Sequence, residues 1–147
     1  MNKILAVEDD VTQRYVLKIV LESFAFDFTI VACAEEALRD LFEREINYVL
    51  VLMDIRLPIM NGFECTQEIR RREQKSGSHR IPIIAVTAYA SAEDRQLCLD
   101  AGMDDYISKP YTLEALKALI DKYLAPARLH NDPSQNEAIQ PEEQAHP

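Results

Sequence analysis

Short apolar runs alternate with amphipathic segments along the first 124 residues of the chain. The runs cover residues 4–7, 28–32, 48–53, 83–87 and 106–107. The third, Tyr48-Val49-Leu50-Val51-Leu52-Met53, is apolar at every position. That pattern predicts a strand covered on both faces, as in a parallel sheet. Between the runs lie helical spacings. Val16, Ile19, Val20 and Phe24 recur at three and four residues, as do Leu113, Leu116, Ile120 and Tyr123. Ala37, Leu38 and Leu41 mark a shorter helix, and Cys65 with Ile69 another. Ser91 followed three residues on by Asp94 predicts the capped start of a fifth helix, which Gly102 ends. Five strands alternating with five helices predict an α/β fold around a central parallel sheet.

Residues 125–147 break the pattern. They hold four of the seven Pro, no aromatic residue and no periodic apolar positions, which predicts a disordered tail. The folded body is therefore expected at 1–124. The tail has one Arg and four acids, so it carries −3 of the net −9. A balance this acidic argues against nucleic acid as a direct partner. The one basic cluster, Arg70-Arg71-Arg72, reads as a solvated helix end, followed by a long polar loop from Arg71 to Ile81. No apolar stretch approaches 18 residues, so no membrane insertion is expected. The first apolar run is four residues long and acids end it, which is too short for a signal-peptide core. Three Cys at wide spacing fit neither a disulfide framework nor a zinc site, and predict a reducing, cytoplasmic setting. The three Gly, at 62, 77 and 102, are too far apart for a Gly-rich phosphate loop. Of the three His, two lie in the tail and His79 lies in a polar run, which leaves none for a Ser–His–Asp arrangement.

Candidate chemistry gathers at the ends of the strands, where open α/β sheets place their sites. The first strand ends in Glu8-Asp9-Asp10, the third in Asp54, the fourth in Thr87, and the fifth is followed by Lys109-Pro110. Asp10 has the position of a helix N-cap. If the first and third strands are neighbours, their terminal carboxylates repel. At ~5 Å and an effective dielectric of ~20, each pair costs about 3 kcal/mol. Such a cluster needs a cation or a proton. Oxygen ligands without His or thiolate suit Mg²⁺, Mn²⁺ or Ca²⁺. A divalent ion, a Lys and a hydroxyl around one carboxylate are the groups that stabilise a phosphoryl group on it.

Four blocks then carry a resemblance: Val7-Glu8-Asp9-Asp10, the stretch from Met53-Asp54 to Asn61-Gly62, Ile83-Ile84-Ala85-Val86-Thr87-Ala88, and Tyr106-Ile107-Ser108-Lys109-Pro110. In this order they resemble the signature blocks of response-regulator receiver domains, over residues 3–124. The resemblance implies a doubly wound, flavodoxin-like five-stranded parallel sheet with order 2-1-3-4-5. It implies Asp54 as the phosphoacceptor for a phosphoryl group from a phosphohistidine. It implies Mg²⁺ as cofactor, held by Asp9 directly, by Glu8 through water, by Asp54, and by the backbone carbonyl of Arg56. Thr87 corresponds to the hydroxyl that shifts onto the phosphoryl group, Tyr106 to the aromatic that follows it, and Lys109 to the phosphate-pairing Lys. The bond from Lys109 to Pro110 is usually cis in the family.

Departures are few. Glu8 stands where Asp is common, and Ala34 where many members have Gly. Arg56 and Tyr89 stand where fast-hydrolysing members place an amide or acid, which gives the expectation of a long-lived phosphorylated form. The partners implied are a histidine kinase, a histidine phosphotransfer protein, and a downstream protein target. Met1 two residues before the first strand, and no effector domain after residue 124, give the expectation of a stand-alone receiver rather than an enzyme. A receiver excised from a hybrid histidine kinase is the alternative. A haloacid-dehalogenase-like phosphatase also uses an Asp nucleophile, but it needs a second Asp where this chain has Arg56.

Overall fold

The computed structural model describes residues 3–88 and 91–131, with side chains described through residue 125. The elements alternate as the pattern requires: β1 (Lys3–Val7), α1 (Val11–Ser23), β2 (Asp27–Val31), α2 (Ala34–Phe42), β3 (Tyr48–Asp54), α3 (Gly62–Ser76), β4 (Ile83–Thr87), α4 (Ala92–Ala101), β5 (Asp105–Ser108) and α5 (Leu113–Asn131). The strands form one parallel sheet in the order β2-β1-β3-β4-β5. The chain reverses its winding between β1 and β3, so these two strands are neighbours, with Val7 opposite Met53.

Successive strand residues point to opposite faces, and each face has its own core. Leu5, Val7, Val51, Met53, Ile83 and Ala85 pack under Ala37 and Leu38 of α2, Cys65 and Ile69 of α3, and Cys98 of α4. Ile4, Ala6, Leu50, Leu52, Ile84 and Val86 pack under α1 and α5, through Leu17, Val20, Leu21, Leu116, Ile120 and Leu124. The run Tyr48–Met53 of β3 is fully apolar for this reason: it is sandwiched on both sides.

The caps follow the local sequence. Asp10 accepts the N–H of Gln13 at 2.8 Å and starts α1. Asn61 with Glu64, and Ser91 with Asp94, form complete capping boxes on α3 and α4. Gly77 and Gly102 close those helices with φ of 71° and 103°, a left-handed turn that costs Gly little.

Several expectations change. In α1 the inward face is Leu17, Val20 and Leu21, while Val16 and Ile19 are half exposed. In α5 Leu124 takes the buried place and Leu113 is half exposed. A three-four spacing is present on both faces of such a helix, so periodicity alone does not choose between them. The segment from Arg71 to Ser76 is helix rather than loop. α5 stays helical to Asn131, so residues 125–131 are helix rather than the start of the predicted tail. Pro126 and the lack of apolar spacing suggested an earlier end. Residues 132–147 of that tail lie outside the described residues.

Arg70 is no solvated end. Its side chain is 11% exposed and ion-pairs with Glu73 at 2.8 Å and Asp104 at 2.9 Å. It also donates to the carbonyls of Gly102 and Ile81, at 2.9 and 2.8 Å. One guanidinium thus ties the end of α3, the approach to β4 and the turn from α4 to β5. Removing it leaves the shielded Glu73 carboxylate without its cation and Asp104 with Arg80 alone. Arg70→Ala is expected to cost about 3 kcal/mol, whereas exposed Arg71→Ala costs far less. Urea unfolding of the two variants checks this, and equal losses would place Arg70 on the solvated surface after all.

Candidate functional site

Strand order brings the polar strand ends together. Asp54 closes β3 and is buried, and Glu8, just past β1, is buried beside it. Asp9 follows and is exposed. One carboxylate oxygen from each of Glu8, Asp9 and Asp54 lies within 4.8 Å of the others. Lys109, past β5, reaches back over the sheet edge. Its Nζ is 2.8 Å from Glu8 Oε1 and 3.9 Å from Asp54 Oδ2. The bond from Lys109 to Pro110 is cis. Thr87 ends β4, the strand next to β3, and is buried. The predicted acids, Lys109 and Thr87 therefore occupy one edge of the sheet.

Local structure holds these groups in place. The N–H of Arg56 donates to Asp54 Oδ1 at 3.2 Å, and the N–H of Asp10 to Glu8 Oε2 at 3.1 Å. The start of α3 abuts the end of β3. A Cβ on Gly62 would stand 2.4 Å from the carbonyl oxygen of Asp54, a distance that excludes any side chain. Gly62 N–H donates to the Ile55 carbonyl at 2.9 Å and closes the loop after Asp54.

Tyr106 lies on β5, in register with Ala85 of β4, and is half buried. Arg95 of α4 donates to its hydroxyl, and the guanidinium sits 4.6 Å from the ring centre. Tyr106 is thereby tied to the surface helix rather than to the acids. Tyr89, the expected neighbour of the attack path, lies outside the described residues.

Three residues at the site were missed from sequence. Arg14 donates to the carbonyls of Glu8 and Asp9, at 2.9 and 2.8 Å, and fixes the loop that carries both acids. Gln13 accepts from the Lys109 ammonium. Nothing in one sequence marks either, since both look like ordinary polar positions on a helix. Ile59, five residues past Asp54, has φ of 70°, strained for a β-branched residue, and is 95% exposed. An Ile in a Pro-containing turn was the available signal.

The charges explain the electrostatics. Burial, then the hydrogen bond and charge of Glu8, push the Asp54 carboxyl from 3.8 up to about 6, against the opposing pull of Lys109 and the Arg56 N–H. Buried oxygen donors with no soft ligand, one of them reluctant to ionise, suit a hard divalent cation. The residues present therefore fit Mg²⁺.

Comparison with known proteins agrees with this geometry. The profile of the response regulator receiver domain family matches residues 4–121. The chain belongs to that family, and is a receiver domain of two-component signalling. It is 39% identical over 125 residues to hybrid signal transduction histidine kinase C of Dictyostelium discoideum, covering 83% of this chain and 10% of the kinase. The chain thus spans about a tenth of the length of that curated relative. Among solved structures it is similar to the receiver domain of sensor histidine kinase PA1611 from Pseudomonas aeruginosa PAO1, which has a magnesium ion coordinated in its active site cleft. Identity there is 37%, the TM-score is 0.73, and 84% of this chain and 97% of that one are covered. It is also similar to a chain of the co-crystal structure of the Saccharomyces cerevisiae histidine phosphotransfer protein Ypd1 with the receiver domain of Ssk1. Identity is 30%, the TM-score 0.75, and coverage 82% and 87%.

The raised Asp54 carboxyl has a consequence for stability. Between pH 3.8 and about 6 the folded state holds a proton that the unfolded state has lost. Stability therefore falls as pH rises through that window, and the penalty is complete above it. Asp54→Asn is expected to gain about 1–3 kcal/mol at pH 8. The gain shrinks as the pH is lowered from 6 toward 4. Urea unfolding at both ends of the range checks this, and a pH-independent gain contradicts it.

Proposed function

We propose that this chain is a phosphoacceptor switch rather than a turnover enzyme, with Asp54 as the phosphorylated residue. The observation that carries the reading is the convergence of Glu8, Asp9, Asp54 and Lys109 at one sheet edge. An Asp54 oxygen attacks the phosphorus of a phosphohistidine, the N–P bond breaks, and the imidazole leaves with its electron pair. Asp9, Glu8 through water, Asp54 and the Arg56 carbonyl would hold Mg²⁺, which neutralises the phosphoryl oxygens. Lys109 pairs a further phosphoryl oxygen, and the Thr87 hydroxyl donates to another. Incubation with acetyl phosphate and Mg²⁺ is expected to add one phosphoryl group by intact mass. Asp54→Asn is expected to add none, and labelling that persists in that variant overturns the assignment.

The signal leaves through α4 and β5. Only Cys98 and Ala101 of α4 are buried, so this helix is lightly anchored, and Tyr106 is tied to it through Arg95. Movement of Thr87 and Tyr106 on phosphorylation changes that surface, which is where a downstream protein target would read it. No helix among the described residues is long and apolar enough to cross a membrane. A cytoplasmic location is part of this proposal.

The phosphodonor is proposed to be a histidine kinase or a histidine phosphotransfer protein that docks on α1. Val11, Tyr15 and Ile19 stand one turn apart on its outer face, and all three are at least half exposed. Beside them a cleft of about 520 Å³ runs between α1 and the start of α5, with Val16, Leu17, Tyr111 and Leu113 in its walls, and reaches Asp54 and Lys109. A histidine-bearing helix laid on this face reaches the acid without any rearrangement of the sheet. Tyr15→Asp is expected to lower transfer from a phosphorylated phosphotransfer protein roughly tenfold more than from acetyl phosphate. Equal losses with the two donors contradict this docking face.

A further inference from the structure

The ammonium of Lys109 has three N–H donors, and three side-chain oxygens surround it, two of them accepting and one, on Asp54, at ion-pair distance. Two belong to the carboxylates of Glu8, at 2.8 Å, and Asp54, at 3.9 Å. The third is the side-chain oxygen of Gln13, from the first turn of α1.

The position of Gln13 makes this contact unusual. Asp10 and Gln13 have the spacing of a capping box, in which the second residue sends its side chain back to the N–H of the first. Half of the box is present, since the Gln13 N–H donates to Asp10 Oδ1 at 2.8 Å. The other half is replaced. The Asp10 N–H donates to Glu8 Oε2 at 3.1 Å. With Glu8 taking over the cap, the Gln13 amide is directed at a residue 96 positions away. Gln13 also lines the cleft beside Asp54.

We propose that Gln13 is a positioning residue for Lys109, holding the ammonium at the mouth of the site so that one N–H stays aimed at the oxygens on Asp54. This rests on the phosphoacceptor reading above. The amide suits the task for an electrostatic reason. Glu8 neutralises the charge of Lys109 and is itself drawn to any cation among the acids. The Gln13 oxygen is neutral, so it orients the ammonium and leaves its charge available to a phosphoryl group. The Lys stem is flexible, and a second anchor reduces the freedom lost when the phosphoryl group is engaged.

The test uses the full chain, with acetyl phosphate and Mg²⁺, and compares wild type with Gln13→Met and Gln13→Glu. Met keeps the length and helix preference but has no comparable acceptor, whereas Glu keeps the acceptor oxygen. Gln13→Met is expected to lower the maximal phosphorylation rate about fivefold, with the half-saturating acetyl phosphate concentration changed less than about twofold. Gln13→Glu is expected to keep the contact with Lys109 but not the rate, because its carboxylate neutralises the ammonium as Glu8 does. In ¹⁵N spectra of the unphosphorylated protein, the Lys109 Nζ signal is expected to broaden in Gln13→Met and to stay sharp in Gln13→Glu. A Gln13→Met protein with the wild-type maximal rate and an unchanged Nζ signal overturns the proposal. If wild type itself takes no phosphoryl group, the phosphoacceptor reading fails, and the Nζ signal still decides whether Gln13 holds Lys109.

Discussion

Three carboxylates within 4.8 Å of one another oppose folding, and the functional end of this molecule is organised around that repulsion. Adjacent parallel strands force the proximity, because β1 and β3 both end at the same edge. Lys109 and two backbone N–H groups offset part of the cost. Burial, with the hydrogen bond and charge of Glu8 adding to it, still leaves the Asp54 carboxyl raised. A site in this state favours whatever brings positive charge to it. A cation at this edge would relieve repulsion that the fold has built in.

The rest of the scaffold makes that crowding possible. Gly62 lets α3 begin against the backbone of Asp54, and Arg14 fixes the loop carrying Glu8 and Asp9 by its carbonyls. At the opposite end of the sheet, Arg70 locks α3, β4 and the turn into β5 with shielded ion pairs and carbonyl contacts. The last residue contact of α4, at Gly102, belongs to that lock, while its first turn does not. A helix tied at one end and lightly packed along its length is suited to move at the other. Anchoring is therefore unequal along one element.

Much of this was legible in the residues. The fully apolar run 48–53 set β3 at the centre of a parallel sheet, the paired acids at 8 and 9 marked a charged strand end, and Ser91 with Gly102 bounded α4. These signals are local, and each rests on periodicity, capping or the cost of burying charge. What escaped was every assignment that depends on a distant partner. Arg70 reads as a solvated cation until Glu73 and Asp104 are placed around it. Val16 and Ile19 have core spacing, yet Leu17 and Leu21 face the sheet, because the choice is made by how α1 lies against β1.

The sequence by itself determined the alternation of elements, the identity of the acids, Thr87 and Lys109 at strand ends, and the family to which the four blocks are similar. Tertiary structure alone decided which polar residues serve them. Gln13 and Arg14 have the composition of any helix surface, and they acquire roles only because strand order brings residues 8, 54 and 109 to the start of α1. A side chain's chemistry is written in its own residue, whereas its partner is set by packing between elements far apart in the chain.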